Sequence, residues 1–385
     1  MARVLLGISG SIAAYKSPLI VRLLRQAGFL VTPIVSRSAL KFVTPLTLST
    51  VSEEVVLTQE NFFSGDIPHL QLEREADVLV VAPATANMIA KFALGLADDV
   101  LSTVFLSFTG PKLVVPAMHV QMWQNPIVQE RVASLKRRGV LFLGPESGEL
   151  ACGDVGMGRM VAPDLILLGV QALLLPRLDL TGQRFLISLG GTREPLDSMR
   201  VLTNRSTGKL GSMLAILAAF FGAEVQVVGT VSVVYPGIVY RYVETVAEMG
   251  LALEAAMPWC SSLYMAAAVA DFTVERTSHK LKRTDGLLLD LKATPDLVSS
   301  LAAQKGGRII VGFCLEDQDL LEVARGKLVR KNLDYIIANT SEMVGADRRS
   351  FYVLAAGSEE AIAVEDVSLL EAAYQILVTT SVAVS

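Results

Sequence analysis

Between Ser188 and Gly211 the chain reads SLGGTREPLDSMRVLTNRSTGKLG, a run of residue types suited to holding an anion. The apolar stretch Phe185-Leu186-Ile187 before it reads as a buried strand, and the glycine pair permits close backbone approach. A Ser/Thr/Gly turn then leads into the apolar helix containing Met213, Leu214, Ala215, Ile216 and Leu217. A helix start offers unpaired N–H groups and about half a positive charge, and Lys209 adds a whole one. A P-loop needs glycine five residues before its Gly-Lys pair and a hydroxyl after it, but Thr203 and Leu210 stand there. No G-x-G-x-x-G fingerprint is present either. Spacing alone gives a phosphate or nucleotide loop, with an ordinary glycine-rich turn as the alternative.

Other reactive side chains are scattered more widely. Cys152 sits among glycines in GELACGDVGMGRM, and His69, one of 3 histidines, lies in DIPHLQLEREAD. Lys327 and Lys331 fall at i and i+4 of a helical segment, so one face can present two ammonium groups. HKLKR places Lys280 and Lys282 close together. Taken singly, a cysteine is more often packed, a histidine more often structural, and a lysine pair more often a solvated face.

The elements that must position these residues alternate. Arg3–Ile8 reads as a strand, Gly7, Ser9, Gly10 and Ser11 as a tight turn, and AAYKSPLIVRLLRQ as a helix stopped by Gly28. Strands at Val31–Val35, Val78–Ala82 and the KLVVPAM segment follow, with a helix through Met88–Phe92. This alternation predicts parallel pairing with right-handed crossovers. Ligands in such sheets lie beyond the carboxyl ends of the strands. The Ser9–Ser11 turn, Ser36, the Pro83–Asn87 loop and the Pro116–Trp123 loop should therefore converge. LLLPRLDLTG breaks the pattern near Pro176–Thr181, giving domains 1–178 and 179–385. The second half alternates again through strands at Gln226–Val228, Leu263–Ala267, Ile309–Val311 and Tyr335–Ala338, and closes with a helix over Leu369–Val378. The fold class is α/β, two doubly wound parallel-sheet domains.

Composition fits two buried cores: 385 residues, 52% hydrophobic and 19% charged. A net charge of −4 gives no electrostatic reason to expect nucleic acid binding. Three dispersed cysteines suit a reducing compartment. The amino terminus lacks a leader pattern, and the apolar run Leu165–Leu175 is too short to span a bilayer. A cytoplasmic protein without membrane partners is expected.

GGTREPLD followed by NRSTGKLG resembles the ligase half of the bifunctional coenzyme A biosynthesis flavoproteins, which join phosphopantothenoylcysteine decarboxylase to phosphopantothenate–cysteine ligase. The likeness extends over nearly the whole chain, with several motifs in order. It implies a flavodoxin-like flavin-binding domain followed by a Rossmann-like ligase domain. It also implies a homo-oligomer, with trimeric flavin domains and dimeric ligase domains, working on 4′-phosphopantothenate, cysteine and CTP.

For the first domain, GSIAAYK, VAPATANMIAK and LADDVLST resemble the loops that hold FMN. The likeness assigns Gly10, Ser11 and Ser36 to the phosphate and ribityl region, and Ala82, Thr85, Asn87 and Ser102 to the rest. It makes His69 the active-site histidine and Cys152 the acid. In that chemistry, oxidation of the substrate's cysteine by flavin gives a thioaldehyde-type species that loses carbon dioxide, after which reduced flavin returns a hydride while a positioned thiol supplies a proton to the enethiol. Met118 and His119 lie on the substrate side. His119 departs from the family pattern P-x-M-N-x-x-M-W, which has asparagine there, and is expected to weaken decarboxylation.

For the second domain, carboxylate activation by CTP through an acyl-cytidylate calls for cations and a divalent metal, taken as Mg2+ with no ligand residues named. The resemblance places Asn204 and Ala268 at the acyl intermediate and Asp271 near the cytidine. Lys280 goes to transition-state charge, with Lys282 beside it. Pro295, Asp296, Leu297, Val298 and Phe313 would read the base, and Lys327 and Lys331 would meet the triphosphate. Beyond Asn339 the family's Gly-Ser/Asp-Asn segment is replaced by Val344-Gly345-Ala346-Asp347.

Overall fold

A computed structural model describes residues 1–62, 74–282, 288–343, 345–346 and 348–381. The chain divides into two compact units, Met1–Arg177 and Leu178–Ser385. No helix among the described residues is long and apolar enough to cross a membrane.

The first unit alternates strand and helix as its apolar runs require. Strand β1 (Arg3–Ile8) leads through a short 3-10 turn into α1 (Ser17–Gln26), whose Ile20, Val21 and Leu24 are fully buried. Gly28 ends that helix at φ +88°, a conformation other residues avoid. Next come β2 (Leu30–Val35), α2 (Pro45–Ser52), β3 (Val78–Ala84), α3 (Ala86–Leu94), α4 (Val100–Ser107), β4 (Lys112–Pro116), α5 (Val120–Gln124), α6 (Pro126–Arg137) and β5 (Leu141–Phe142). All seven residues of β3 are buried, as expected for a strand covered on both faces. The parallel sheet has the order β2-β1-β3-β4-β5. That is the flavodoxin order, and its direction of winding reverses between β1 and β3. An antiparallel hairpin, β6 (Glu146–Glu149) and β7 (Val155–Arg159), follows before the final helix α7 (Pro163–Leu173).

The second unit opens with β8 (Arg184–Leu189), the short hairpin β9 (Arg193–Pro195) and β10 (Val201–Thr203), then α8 (Lys209–Phe220). Strands β11 (Glu224–Gly229) and β12 (Ile238–Tyr242), helix α9 (Val246–Ala256) and β13 (Ser262–Met265) continue the winding. A second small hairpin pairs β14 (Phe272–Val274) with β15 (Leu291–Ala293). Then follow α10 (Leu297–Ala302), β16 (Ile309–Leu315), α11 (Leu320–Arg330), β17 (Tyr335–Asn339), β18 (Arg348–Ala355), β19 (Ala361–Ser368) and α12 (Leu369–Ser381). The sheet order is β12-β11-β8-β13-β16-β17-β18-β19. Its first six strands are parallel in the doubly wound dinucleotide-fold order, reversing between β8 and β13. The last two, beyond the Tyr335–Ala338 strand expected from the sequence, run antiparallel at the sheet edge. A hairpin reverses direction within a few residues, whereas parallel pairing needs a crossover.

Candidate functional site

Both reversal points carry cavities. In the first unit Ser9 ties the two central strands together. Its hydroxyl donates to the Pro83 carbonyl at 2.8 Å and accepts the Thr85 N–H at 2.9 Å. Thr85 caps α3 by accepting the Met88 N–H. Around this knot lies a cavity of about 410 Å³ lined by Ser9, Ser36, Ser38, Thr85 and Asn87, with Arg37, Lys41 and Lys91 as its cations. Gly10 passes so close to Ser38 that a Cβ there would sit 2.5 Å from the Ser38 Cβ. The loop therefore packs tightly only with glycine, and hydroxyls, cations and the Asp98 and Asp99 carboxylates, both paired with Lys91, line the space.

Next to it, a cavity of about 650 Å³ is lined by Ser11, Tyr15, Met118, His119 and Cys152 among others. Cys152 is exposed at the tip of the β6–β7 hairpin. The hairpin is docked on the Met118–Val120 segment, where Met118 N–H donates to the Gly158 carbonyl at 3.0 Å. A Cβ at Gly158 would lie 2.2 Å from the Met118 oxygen, so the two backbones touch. His119 caps α5 through Nδ1, which accepts the Gln121 N–H at 3.3 Å. Its Nε2 lies 2.7 Å from Asp154 Oδ2. With Nδ1 an acceptor, the neutral ring carries its proton on Nε2 and donates it to Asp154. His119, Cys152 and Asp154 hold donor atoms within 4.8 Å of one another, the single such group among the described residues. A metal at Nε2 would have to displace that proton and break the cap.

Among the expected flavin contacts, Ser36, Thr85 and Asn87 line the smaller cavity and Ser11 the larger, while Gly10 lies between Ser9 and Ser11. Two are corrected. Ala82 is fully buried inside β3. Ser102 is buried too, and its side chain completes the capping box of α4 with Asp99. His69 lies outside the described residues. Sequence reasoning missed Arg37, Lys41 and Asp154. Arg37 follows Ser36 directly and Lys41 stands five residues beyond it, a signal that was available.

In the second unit the crossover cavity measures about 800 Å³. The β8 end and the segment after β13 lie side by side: Ala268 N–H donates to the Gly190 carbonyl at 2.8 Å, and Thr192 N–H to the Ala268 carbonyl at 3.3 Å. Gly190 has φ +84°, and a Cβ there would meet Thr230 Oγ1 at 2.2 Å. Asn204 reaches across, donating from Nδ2 to the Val269 carbonyl at 3.0 Å. The cavity gathers Asn204, Ala268, Asp271, Pro295, Asp296, Leu297, Val298, Phe313, Lys327 and Lys331, and adds Arg205 and Thr294.

Both lysines are paired. Lys327 Nζ lies 2.6 Å from Glu316, and Lys331 Nζ 3.0 Å from Asp296. Burial works against the charge on Lys327, but Glu316 outweighs it and the ammonium titrates above its ordinary range. Burial likewise opposes the Asp296 carboxylate, and Lys331 and Ser299 overcome it, holding the acid below its usual value. Asp296 also caps α10 by accepting the Ser299 N–H. Lys280 and Lys282 are exposed and stand outside the lining of this cavity. The α8 start does not line it either, and there the Ser206 and Thr207 hydroxyls accept the Gly208 and Lys209 N–H groups at 3.4 Å.

Two tandem doubly wound units, each with a polar cavity at its reversal point, define the class: a two-domain α/β protein. Residues 180–381 match the family described as DNA/pantothenate metabolism flavoprotein C-terminal domain, and residues 1–175 match the family described as Flavoprotein. The coenzyme A biosynthesis bifunctional protein CoaBC of Vibrio cholerae is 40% identical over 352 residues, 89% of this chain and 88% of that one. The Bacillus subtilis protein of the same name is 40% identical over 353 residues, 89% and 87%. The solved FMN binding protein AtHal3 is 36% identical, covering 45% of this chain and 96% of its own, with a TM-score of 0.41. The chain belongs to the family of CoaBC bifunctional coenzyme A biosynthesis proteins.

Proposed function

We propose that the second unit joins cysteine to 4′-phosphopantothenate with CTP, through an acyl-cytidylate. The first unit then decarboxylates 4′-phosphopantothenoylcysteine to 4′-phosphopantetheine with FMN. The observation that carries this reading is the grouping of Asn204, Ala268, Asp271, the 295–298 segment, Phe313, Lys327 and Lys331 around one crossover cavity.

In that cavity Lys327 and Lys331 exchange their carboxylate partners for phosphate oxygens, adding cationic charge where Mg2+ accompanies the nucleotide. Asn204, fixed to the Val269 carbonyl, presents its amide beside Ala268 to the activated acyl group. The ring of Phe313 offers a stacking face to the base.

In the first unit the Ser36 and Ser38 hydroxyls, Thr85, Asn87, Arg37 and Lys41 suit a phosphorylated, polyhydroxylated cofactor, and Gly10 leaves the close approach that FMN needs. Bound FMN would supply the two-electron oxidation of the substrate's cysteine moiety and, once reduced, return the same two electrons as hydride after carbon dioxide leaves. Cys152, at the tip of the docked hairpin, holds the proton returned to the enethiol. His119 offers the N–H now on Asp154 to the substrate carboxylate. Because imidazole replaces the family asparagine here, decarboxylation is the slower half.

Within this reading the chain is a cytoplasmic homo-oligomer, with trimeric flavin units and dimeric ligase units, acting on small molecules. Incubation with 4′-phosphopantothenate, cysteine, CTP and magnesium, followed by mass, tests it. CTP-dependent appearance of the cysteine adduct and then of 4′-phosphopantetheine is expected. If neither forms and the purified chain is colourless, the reading is wrong.

A further inference from the structure

Lys280 and Lys282 stand outside the crossover cavity, yet the residue between them is fastened at both backbone polar groups. Leu281 N–H donates to Asp197 Oδ2 at 3.0 Å, and its carbonyl accepts from Arg200 Nη1 at 3.2 Å. Asp197 sits in the turn between β9 and β10 with its side chain wholly shielded from solvent. Its Oδ1 accepts the N–H groups of Met199 and Arg200 at 2.7 and 2.8 Å. Its Oδ2 also receives Arg200 Nη1 at 2.9 Å. One oxygen thus closes its own turn, and the other captures a backbone 84 residues away.

Two further ties run alongside. Thr277 N–H donates to the Leu196 carbonyl at 3.1 Å. Glu194, also buried, accepts the Thr273 hydroxyl on Oε2 at 2.8 Å and the Val246 N–H on Oε1 at 2.8 Å. Thr273, Thr277 and Leu281 are therefore pinned in register to Glu194, Leu196 and Asp197. A buried carboxylate is retained when its lone pairs are matched, and four donors match this one.

We infer that Asp197 is a positioning residue for the Lys280–Lys282 loop: it fixes the Leu281 backbone so that the flanking ammonium groups reach the nucleotide from a set anchor. The inference rests on the ligase reading above. A flexible lysine loop would lose its entropy at each turnover, whereas an anchored one has that ordering built in.

Asp197→Asn tests this in the full chain. Its amide oxygen can keep the Met199 and Arg200 N–H groups, but its NH2 then faces the Leu281 N–H, a donor against a donor. Leu281→Pro removes the same bond from the loop side and leaves Asp197 intact, so it carries the test if the Asn variant does not fold. Leu281→Ala keeps the N–H and is the exchange control. Hydrogen exchange of peptides covering residues 277–282 is followed beside CTP-dependent pyrophosphate release.

Loss of a hydrogen bond to a charged acceptor should speed exchange there by about tenfold to a hundredfold, with Leu281→Ala unchanged. Turnover should fall by about tenfold or more while KM for CTP stays within about twofold, since Lys327 and Lys331 still bind the nucleotide. Unchanged exchange in the Asn and Pro variants overturns the clip. Faster exchange with unchanged turnover overturns the positioning role. A parent chain without CTP-dependent release defeats the ligase reading instead, and the exchange comparison still decides the clip.

Discussion

Replacing Lys327 with Gln probes the crossover cavity most sharply. The ammonium lies 2.6 Å from Glu316, and the two side chains are 28% and 34% exposed. In so partly shielded a place a charge pair at about 4 Å is worth about 4 kcal/mol at an effective dielectric near 20. Solvation returns part of this, and a hydrogen bond to a charged group nets about 1.5–3 kcal/mol. If Lys327 gives that to a phosphate oxygen, its loss raises KM for CTP by about tenfold to a hundredfold. Folding should suffer little, because exposed pairs contribute about 0–1 kcal/mol and Glu316 can hydrate once unpaired. Glu316→Gln moves the other way: the nucleotide no longer displaces a competing carboxylate, so KM falls or holds. Initial rates of pyrophosphate release against CTP, with thermal unfolding as the stability check, read both variants. A Gln variant with KM within about twofold of the parent and intact folding refutes the phosphate role.

Three further outcomes are expected. His119→Asn should raise flavin-dependent carbon dioxide release by about 2- to 10-fold, the rate equivalent of one neutral hydrogen bond, without changing ligation; no gain contradicts the substrate-side role of this residue. Gly158→Ala puts a methyl 2.2 Å from the Met118 carbonyl, an overpacking worth about 1–3 kcal/mol. It should therefore displace the Cys152 hairpin and depress decarboxylation far more than ligation. The Asp197 carboxyl titrates below its ordinary range, first because Leu281 N–H holds the ionised form, with burial opposing and Met199 and Arg200 assisting. Its contribution to stability is therefore fully present above the unfolded value near about pH 4 and lost as pH falls through the lower folded value. The stability gap between parent and Asp197→Asn should close below about pH 4, and a gap that persists there counts against the bonded carboxylate.

The parallel frame was legible because buried strands such as Val78–Ala84 and Phe185–Ile187 are unbroken apolar runs, each followed by turn residues and a helix. The ligase cavity was legible for a related reason: its lining comes from strand ends, where motif order maps onto space. The β6–β7 hairpin was not, since Glu146–Glu149 and Val155–Arg159 have little β-branched character and are held by contact with Met118 and Val120. The β18–β19 pair was not legible either, since Ala361–Ser368 is a partly exposed edge strand that carries Glu365 and Asp366 and lacks a clean apolar alternation. Asp197 and Glu194 are the acids of the REPLD run. Their partners at Leu281 and Thr273 are tertiary, and nothing in the local sequence names them. Ser102 and Ala82 show the converse: a residue in a flavin-type motif can serve the scaffold that supports the loop.

The most direct measurement is the product mass from the Cys152→Ser chain given 4′-phosphopantothenate, cysteine, CTP and magnesium. Two separate sites, with Cys152 as proton donor at the second step, predict CTP-dependent formation of the ligated adduct and no 4′-phosphopantetheine. Full conversion to 4′-phosphopantetheine by that variant, or a parent chain that forms no adduct with CTP, contradicts it.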